Sequence, residues 1–232
     1  MKKFGIIIFI IAVLVGVVFA NLFSFTRASD KIFGFSLPLS VKGSGGMKSE
    51  IRPTTAFTGV DVGGVFHVNI VTGKDFEIEV EADDNLLQYI RTEVRDGVLN
   101  IETTERVKSH SPLRVRIIAP SIESLRASGA SNVSVAGLQN SKLNIDTSGA
   151  SKIRVDGSTS RLEIEVSGAS RIDASLLKSE NAKVNASGAS YVDLFVTGRL
   201  VSDASGASKV AYKGNPSSVE KNSSGAGRIV QK

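Results

Sequence analysis

From Phe57 onward apolar residues alternate with polar ones at a spacing of two, which is the pattern of strands with one face turned inward. Val60 and Val62, then Phe66, Val68 and Ile70, then Phe76, Ile78 and Val80 form three such runs, separated by Gly63-Gly64 and Gly73-Lys74-Asp75. Asp83-Asp84-Asn85 interrupts the series, and Leu86 to Ile90 predicts a brief helical turn. Val94-Arg95-Asp96-Gly97-Val98-Leu99-Asn100-Ile101 carries the Asp-Gly pair of a tight hairpin. Leu113, Val115 and Ile117 make a further strand, closed by Pro120.

Past Pro120 the alternation becomes a repeat. One phrase returns six times: Ser128-Gly129-Ala130-Ser131, Ser148-Gly149-Ala150-Ser151, Ser167-Gly168-Ala169-Ser170, Ser187-Gly188-Ala189-Ser190, Ser205-Gly206-Ala207-Ser208 and Ser224-Gly225-Ala226-Gly227, at intervals of 20, 19, 20, 18 and 19 residues. Such a period is too short for paired-helix repeats and fits one coil of a β-solenoid, in which each repeat packs only on its neighbours. With the first Ser as zero, position +5 is always β-branched: Val133, Ile153, Ile172, Val192, Val210 and Ile229. Position −3 gives Leu125, Ile145, Ile164 and Val184, then Ser202 and Lys221. These positions predict two short strands per coil around an apolar core, with a polar cap where the columns lose their apolar character. The expectation is an all-β parallel β-helix of about 19-residue coils.

The phrase itself reads as architecture. Gly allows positive φ at a corner, Ala is small enough to point into a crowded one, and Ser can bond local backbone groups. Two outward rows flank each corner. At +4 stand Asn132, Lys152, Arg171, Tyr191, Lys209 and Arg228, and at −2 stand Arg126, Asp146, Glu165, Asn185, Asp203 and Asn222. Asp146 with Lys152, Glu165 with Arg171 and Asp203 with Lys209 are expected to compensate one another across the corner. The second reading is that Lys152, Arg171, Lys209 and Arg228 form a polyanion-binding strip.

The start of the chain changes the compartment. Lys2-Lys3 precedes Phe4 to Ala20, which has no charged or polar side chain, and the apolar stretch runs on to Phe25. Residues 1–26 are therefore a signal peptide cleaved after Ala20, or an uncleaved signal-anchor helix, which places the rest outside the cytoplasmic membrane. Residues 27–53, with Lys42-Gly43-Ser44-Gly45-Gly46, read as a flexible tether. Residues 54–232 read as one solenoid domain, 54–120 as N-terminal coils or cap and 121–232 as the repeats. Ten of the eleven Phe lie at or before Phe76, so the first coils carry the bulkier core.

Composition narrows the chemistry. The chain has no cysteine, which excludes disulfides, thiolate metal sites and thiol nucleophiles. The formal charge is +5, two of it on Lys2 and Lys3, too modest an excess to argue for nucleic acid. His67 and His110 are the only histidines and have no partner at metal or triad spacing, while Asp83-Asp84 lacks the ligand series of a calcium loop. No cofactor or metal is expected. Parallel β-helices also carry carbohydrate-active enzymes, for which Asp146, Asp156, Glu163, Glu165, Asp173 and Asp193 are the candidate carboxylates.

Taken together, Phe57-Thr58-Gly59-Val60, Gly64-Val65-Phe66-His67-Val68, Ala82-Asp83-Asp84-Asn85-Leu86-Leu87, Gly97-Val98-Leu99-Asn100-Ile101 and the Ser-Gly-Ala-Ser returns resemble the bacterial auto-transporter adhesin, head GIN domain family. The resemblance runs from about Phe57 to Ile229. It implies an exported right-handed β-helix and supplies no catalytic residue. An auto-transporter needs a membrane barrel of at least eight strands beyond its passenger, and none follows the sixth repeat, so a self-sufficient auto-transporter is not expected. The reading is a non-enzymatic domain of a bacterial cell envelope, periplasmic or surface-exposed, offering an adhesin-like binding or scaffolding surface. Its expected partners are an envelope glycan or a surface protein, and the membrane itself if the N-terminal helix is kept.

Overall fold

The computed structural model of the protein describes residues 40–232, which form one compact unit. The expected signal or anchor helix lies outside the described residues. Among the described residues no helix is long and apolar enough to cross a membrane.

Strands follow one another almost without interruption: Val41–Lys42 (β1), Met47–Arg52 (β2), Gly59–Gly64 (β3), Phe66–Thr72 (β4), Glu77–Asp83 (β5), Ile90–Arg95 (β6), Val98–Thr103 (β7), Val107–Lys108 (β8), Leu113–Ala119 (β9), Ser124–Gly129 (β10), Asn132–Thr147 (β11), Lys152–Val166 (β12), Arg171–Ala186 (β13), Tyr191–Val196 (β14), Arg199–Ala204 (β15), Lys209–Lys213 (β16), Ser218–Ser223 (β17) and Arg228–Gln231 (β18). The one helical turn among the described residues, Leu87–Tyr89, sits where the sequence predicts it.

From β10 onward every pairing is parallel and in coil register. Val133, Ile153, Ile172, Val192, Val210 and Ile229 are partners one above the next, and so are Leu125, Ile145, Ile164, Val184, Ser202 and Lys221. The first column is fully buried up to Val210, and the second up to Ser202. A β-solenoid is thus observed, with its core in stacked columns. Lys221, which ends the second column, is exposed, and its ammonium lies 4.8 Å from the centroid of the buried Tyr212 ring.

Three details depart from the expectation. The central coils are single long strands rather than pairs, since β11, β12 and β13 span 16, 15 and 16 residues. They bend at a bulge, where the register shifts between Val135 and Leu138 around Gly137. The N-terminal part is not purely parallel: β5 pairs antiparallel with β2 and β9, and β6 pairs antiparallel with β7 through the expected Asp96-Gly97 turn. Phe57 and Phe66 are fully buried there, which fits the bulkier core.

The third departure concerns the tether. Residues 40–53, assigned to it for their Gly and Ser content, carry β1 against β8 and β2 against β5. The backbone ladders are joined by side-chain anchors from the Asp83-Asp84-Asn85 turn, the buried carboxylate of Asp83 among them. Its Oδ1 accepts the Gly45 N–H at 2.7 Å, and its Oδ2 accepts the Ser109 hydroxyl and the His110 N–H.

Those hydrogen bonds, Ser109 first and then Gly45 and His110, hold the Asp83 carboxyl below the usual aspartate range against the opposing pull of burial. A depressed carboxylate contributes stability that is complete above its unfolded pKa of about 3.9 and is lost as pH falls through the lower folded value. Asp83→Asn is therefore expected to speed amide hydrogen exchange at Gly45 and His110 at neutral pH while the core columns stay protected. Unchanged exchange at both amides would show that the carboxylate is not the anchor.

Candidate ligand-binding face

The corners come first, because they set where every outward side chain stands. Gly129, Gly149, Gly168, Gly188, Gly206 and Gly225 adopt φ between 64° and 86°. The following N–H, on Ala130, Ala150, Ala169, Ala189, Ala207 and Ala226, donates to the carbonyl of the corner glycine one coil earlier at 2.7 to 2.9 Å, with Gly64 serving Ala130. This backbone ladder points the alanine side chains outward, and all six are exposed. The expectation that Ala packs into the corner is corrected accordingly. Ser131, Ser151, Ser170, Ser190 and Ser208, one residue on, take the buried place. Of the leading serines, Ser128, Ser167, Ser187 and Ser205 donate to a carbonyl at the end of the previous coil's strand. Ser148 and Ser224 are exposed at the same corner position.

Charge compensation runs along the solenoid rather than across the corner. Arg126 bridges Asp61 at 3.5 Å and Asp146 at 3.3 Å in the coils on either side, Arg154 meets Asp173 at 3.5 Å, and Lys183 meets Glu163 at 3.6 Å. Among the described residues none of the three expected cross-corner pairs forms. Stacked neighbours stand about 4.8 Å apart, whereas the four-residue corner holds the −2 and +4 side chains on separate faces.

The +4 row continues upward as one ladder: Arg114, His67, Asn132, Lys152, Arg171, Tyr191, Lys209 and Arg228 are register partners on successive strands. Lys152, Arg171, Lys209 and Arg228 are all exposed, and among the described residues no carboxylate lies within ion-pair distance of any of them. Tyr191 interrupts the cations as a half-buried ring. The Arg171 guanidinium lies 4.7 Å from its centroid and the Lys209 ammonium 5.8 Å, from the coils on either side, with the Lys232 ammonium at 5.9 Å. A groove of about 500 Å³ opens along this face between the +4 row and the next outward row, which contributes Asn69, Ser134, Arg154, Asp173 and Asp193. His67 lies exposed on its rim rather than in a cluster of ligands.

The six candidate carboxylates do not converge. Asp146, Glu163 and Glu165 share the face before the corner, Asp156 accepts the Gly137 N–H at the bulge, and Asp173 and Asp193 lie in the groove. Two of the pairings are adjacent in register, Asp146 with Glu165 and Asp173 with Asp193. Asp146 is taken by Arg126, and Asp193 by Lys232. The Ser175 hydroxyl, then the Ser175 N–H and Arg154, hold the Asp173 carboxyl below its ordinary value, so it carries no proton to donate at neutral pH. No group of His, Asp and Glu among the described residues is arranged to hold a metal ion.

Comparison with known proteins agrees with this architecture. A family model described as "Putative auto-transporter adhesin, head GIN domain" matches residues 56–216. A crystal structure of a "putative adhesin" from Bacteroides fragilis NCTC 9343 superposes with a TM-score of 0.71 at 16% identity, covering 83% of this chain and 100% of that one. One from Parabacteroides merdae ATCC 43184, also a "putative adhesin", gives 0.55 at 19% identity over 83% and 99%. A "putative lipid binding protein" from Parabacteroides distasonis ATCC 8503 gives 0.52 at 18% identity over 84% and 100%. No curated protein matches the chain.

Proposed function

The chain belongs to the auto-transporter adhesin, head GIN domain family, and from that premise we propose that it is an exported, non-enzymatic binding domain whose ligand surface is the cationic face of the solenoid. One observation carries the reading. Several rows that mix acids and bases compensate them between coils, while Lys152, Arg171, Lys209 and Arg228 are left uncompensated. Stacked like charges cost stability, and a fold that keeps them in the open offers them to something else. The apolar run before Phe25 supports export to the envelope, either released after cleavage or held at the membrane. The coils are expected to wind right-handed, the hand of nearly all parallel crossovers.

An envelope-polymer and glycan array at low and high salt tests the proposal. The 40–232 unit, compact in itself and with the pairings among its described residues closing inside it, is expected to be retained at low salt and released at high salt. Arg171→Glu combined with Lys209→Glu is expected to abolish retention. Retention that ignores the double reversal would remove the face from consideration and leave a scaffolding role. A carbohydrate-active site draws less support, because Asp173 is ionised and the other acids are paired or scattered.

A further inference from the structure

Resting on that reading of the face, we infer that its ligand is a linear acidic polysaccharide lying along the solenoid axis, one sugar unit per coil, with an acidic group seated between Arg171 and Lys209 at the edge of Tyr191. The solenoid presents its cations at the spacing of its coils, about 4.8 Å, and a pyranose ring in an extended chain advances by a similar distance. A polymer with a carboxylate on each unit carries acidic groups at that pitch, and those on units turned toward the face reach Lys152, Arg171, Lys209 and Arg228. The row runs from coil to coil along the stack because these residues are direct register partners through Tyr191.

Tyr191 makes the row more than a smear of charge. Lys and Arg side chains on an open surface are mobile, and ordering them on binding costs affinity. Here the ring holds Arg171 from the coil before it and Lys209 from the coil after it, so both cations are placed before a ligand arrives. The groove beside the row supplies hydroxyl and amide partners, Asn69, Asn132 and Ser134, suited to neutral sugar oxygens. Three carboxylates border the face, and each is occupied: Glu81 by Arg114, Asp173 by Arg154 and Asp193 by Lys232.

Two other anionic partners fit less well. Single-stranded nucleic acid is held by bases stacking on free aromatic faces, and the Tyr191 ring already has Arg171, Lys209 and Lys232 within 4.7 to 5.9 Å of its centroid. A lipid surface calls for apolar side chains beside the charges. The exposed large apolar residues, among them Val65, Val71 and Leu176, stand outside both outward rows of this face.

The test uses the 40–232 unit and galacturonic acid oligomers of graded length, with binding read by calorimetry. Affinity is expected to climb with each added unit until the oligomer spans Lys152 to Arg228, and then to level off. Arg171→Glu with Lys209→Glu is expected to weaken the longest oligomer by at least about tenfold. Tyr191→Leu leaves the charge unchanged and is expected to lose several-fold in affinity, with Tyr191→Phe restoring it. All of these side chains are exposed or half-buried, so the fold should persist, as a melting curve would verify. If the double reversal has no effect, or no oligomer binds, the reading of the face fails and this inference with it. If the reversal matters but length and Tyr191 do not, or if a homopolymeric DNA strand or phosphatidylglycerol vesicles bind as tightly, the axial polysaccharide is overturned while the cationic face stands.

Discussion

Gly149→Ala is expected to unfold the protein, or to lower its stability by roughly 3 kcal/mol or more. Two costs act together. Gly149 sits at φ +83°, and an added Cβ would lie 2.4 Å from the carbonyl oxygen of Gly129, the oxygen that accepts the Ala150 N–H. Relief of the clash means separating two coils and breaking the corner ladder at that step, so the damage spreads into both apolar columns. Gly225→Ala is the internal control, because its Cβ would stand 3.2 Å from the Gly206 oxygen in the last coil. Its cost is expected nearer to about 1 kcal/mol, the backbone penalty alone. Ala150→Ser, at the exposed neighbouring position, should be neutral. Thermal melts of the three variants decide the matter, and equal melting temperatures for Gly149→Ala and Gly225→Ala would refute the ladder as the source of corner strength.

Ile164→Lys is expected to prevent folding altogether. Ile164 is fully buried in the second column between Ile145 and Val184. A lysine there must bury its ammonium without a partner or lose its proton, and neutralising a buried lysine at pH 7 costs on the order of 5 kcal/mol. The same residue type already stands two coils beyond Val184, as Lys221, where it is exposed over the Tyr212 ring. Far-ultraviolet circular dichroism of the purified variant would show loss of the β spectrum. A folded Ile164→Lys protein would mean that the core columns are wetter than their burial implies.

The architecture was legible because the repeat reports itself at several levels. A glycine at fixed spacing, a β-branched residue five positions after each leading serine and an apolar residue three positions before it each point to stacked coils. The second corner was harder to see, since Gly137 and Gly157 mark it in two coils and no glycine does so in the next. Within Ser-Gly-Ala-Ser, size alone favours alanine for the inward place, yet the structure gives that place to the second serine. The positive φ of the preceding glycine rotates that Cβ outward, and serine, whose hydroxyl can bond a carbonyl inside the coil, takes the position instead. The N-terminal strands β1 and β2 escaped notice because a glycine-rich sequence does not announce that a distant carboxylate, Asp83, will hold it.

For the ligand face, the four cations were visible in the sequence as an outward row. The groove beside them was not, although Ser134, Arg154, Asp173 and Asp193 recur two residues further along each strand. Nor does spacing reveal that Tyr191 gathers its neighbours. That depends on the ring lying between two coils, a relation that exists only once they are stacked.

Lys221 also bears on how these molecules behave in a crowd. Among the described residues β17 pairs only with β15, and bare parallel edges are the starting points of amyloid-like growth. A second chain docking there would have to cover the Lys221 ammonium beside the buried Tyr212 ring, and desolvating that charge costs stability. The β17 coil therefore resists growth at its own edge. Many copies held side by side on one surface are thereby hindered from templating one another through β17.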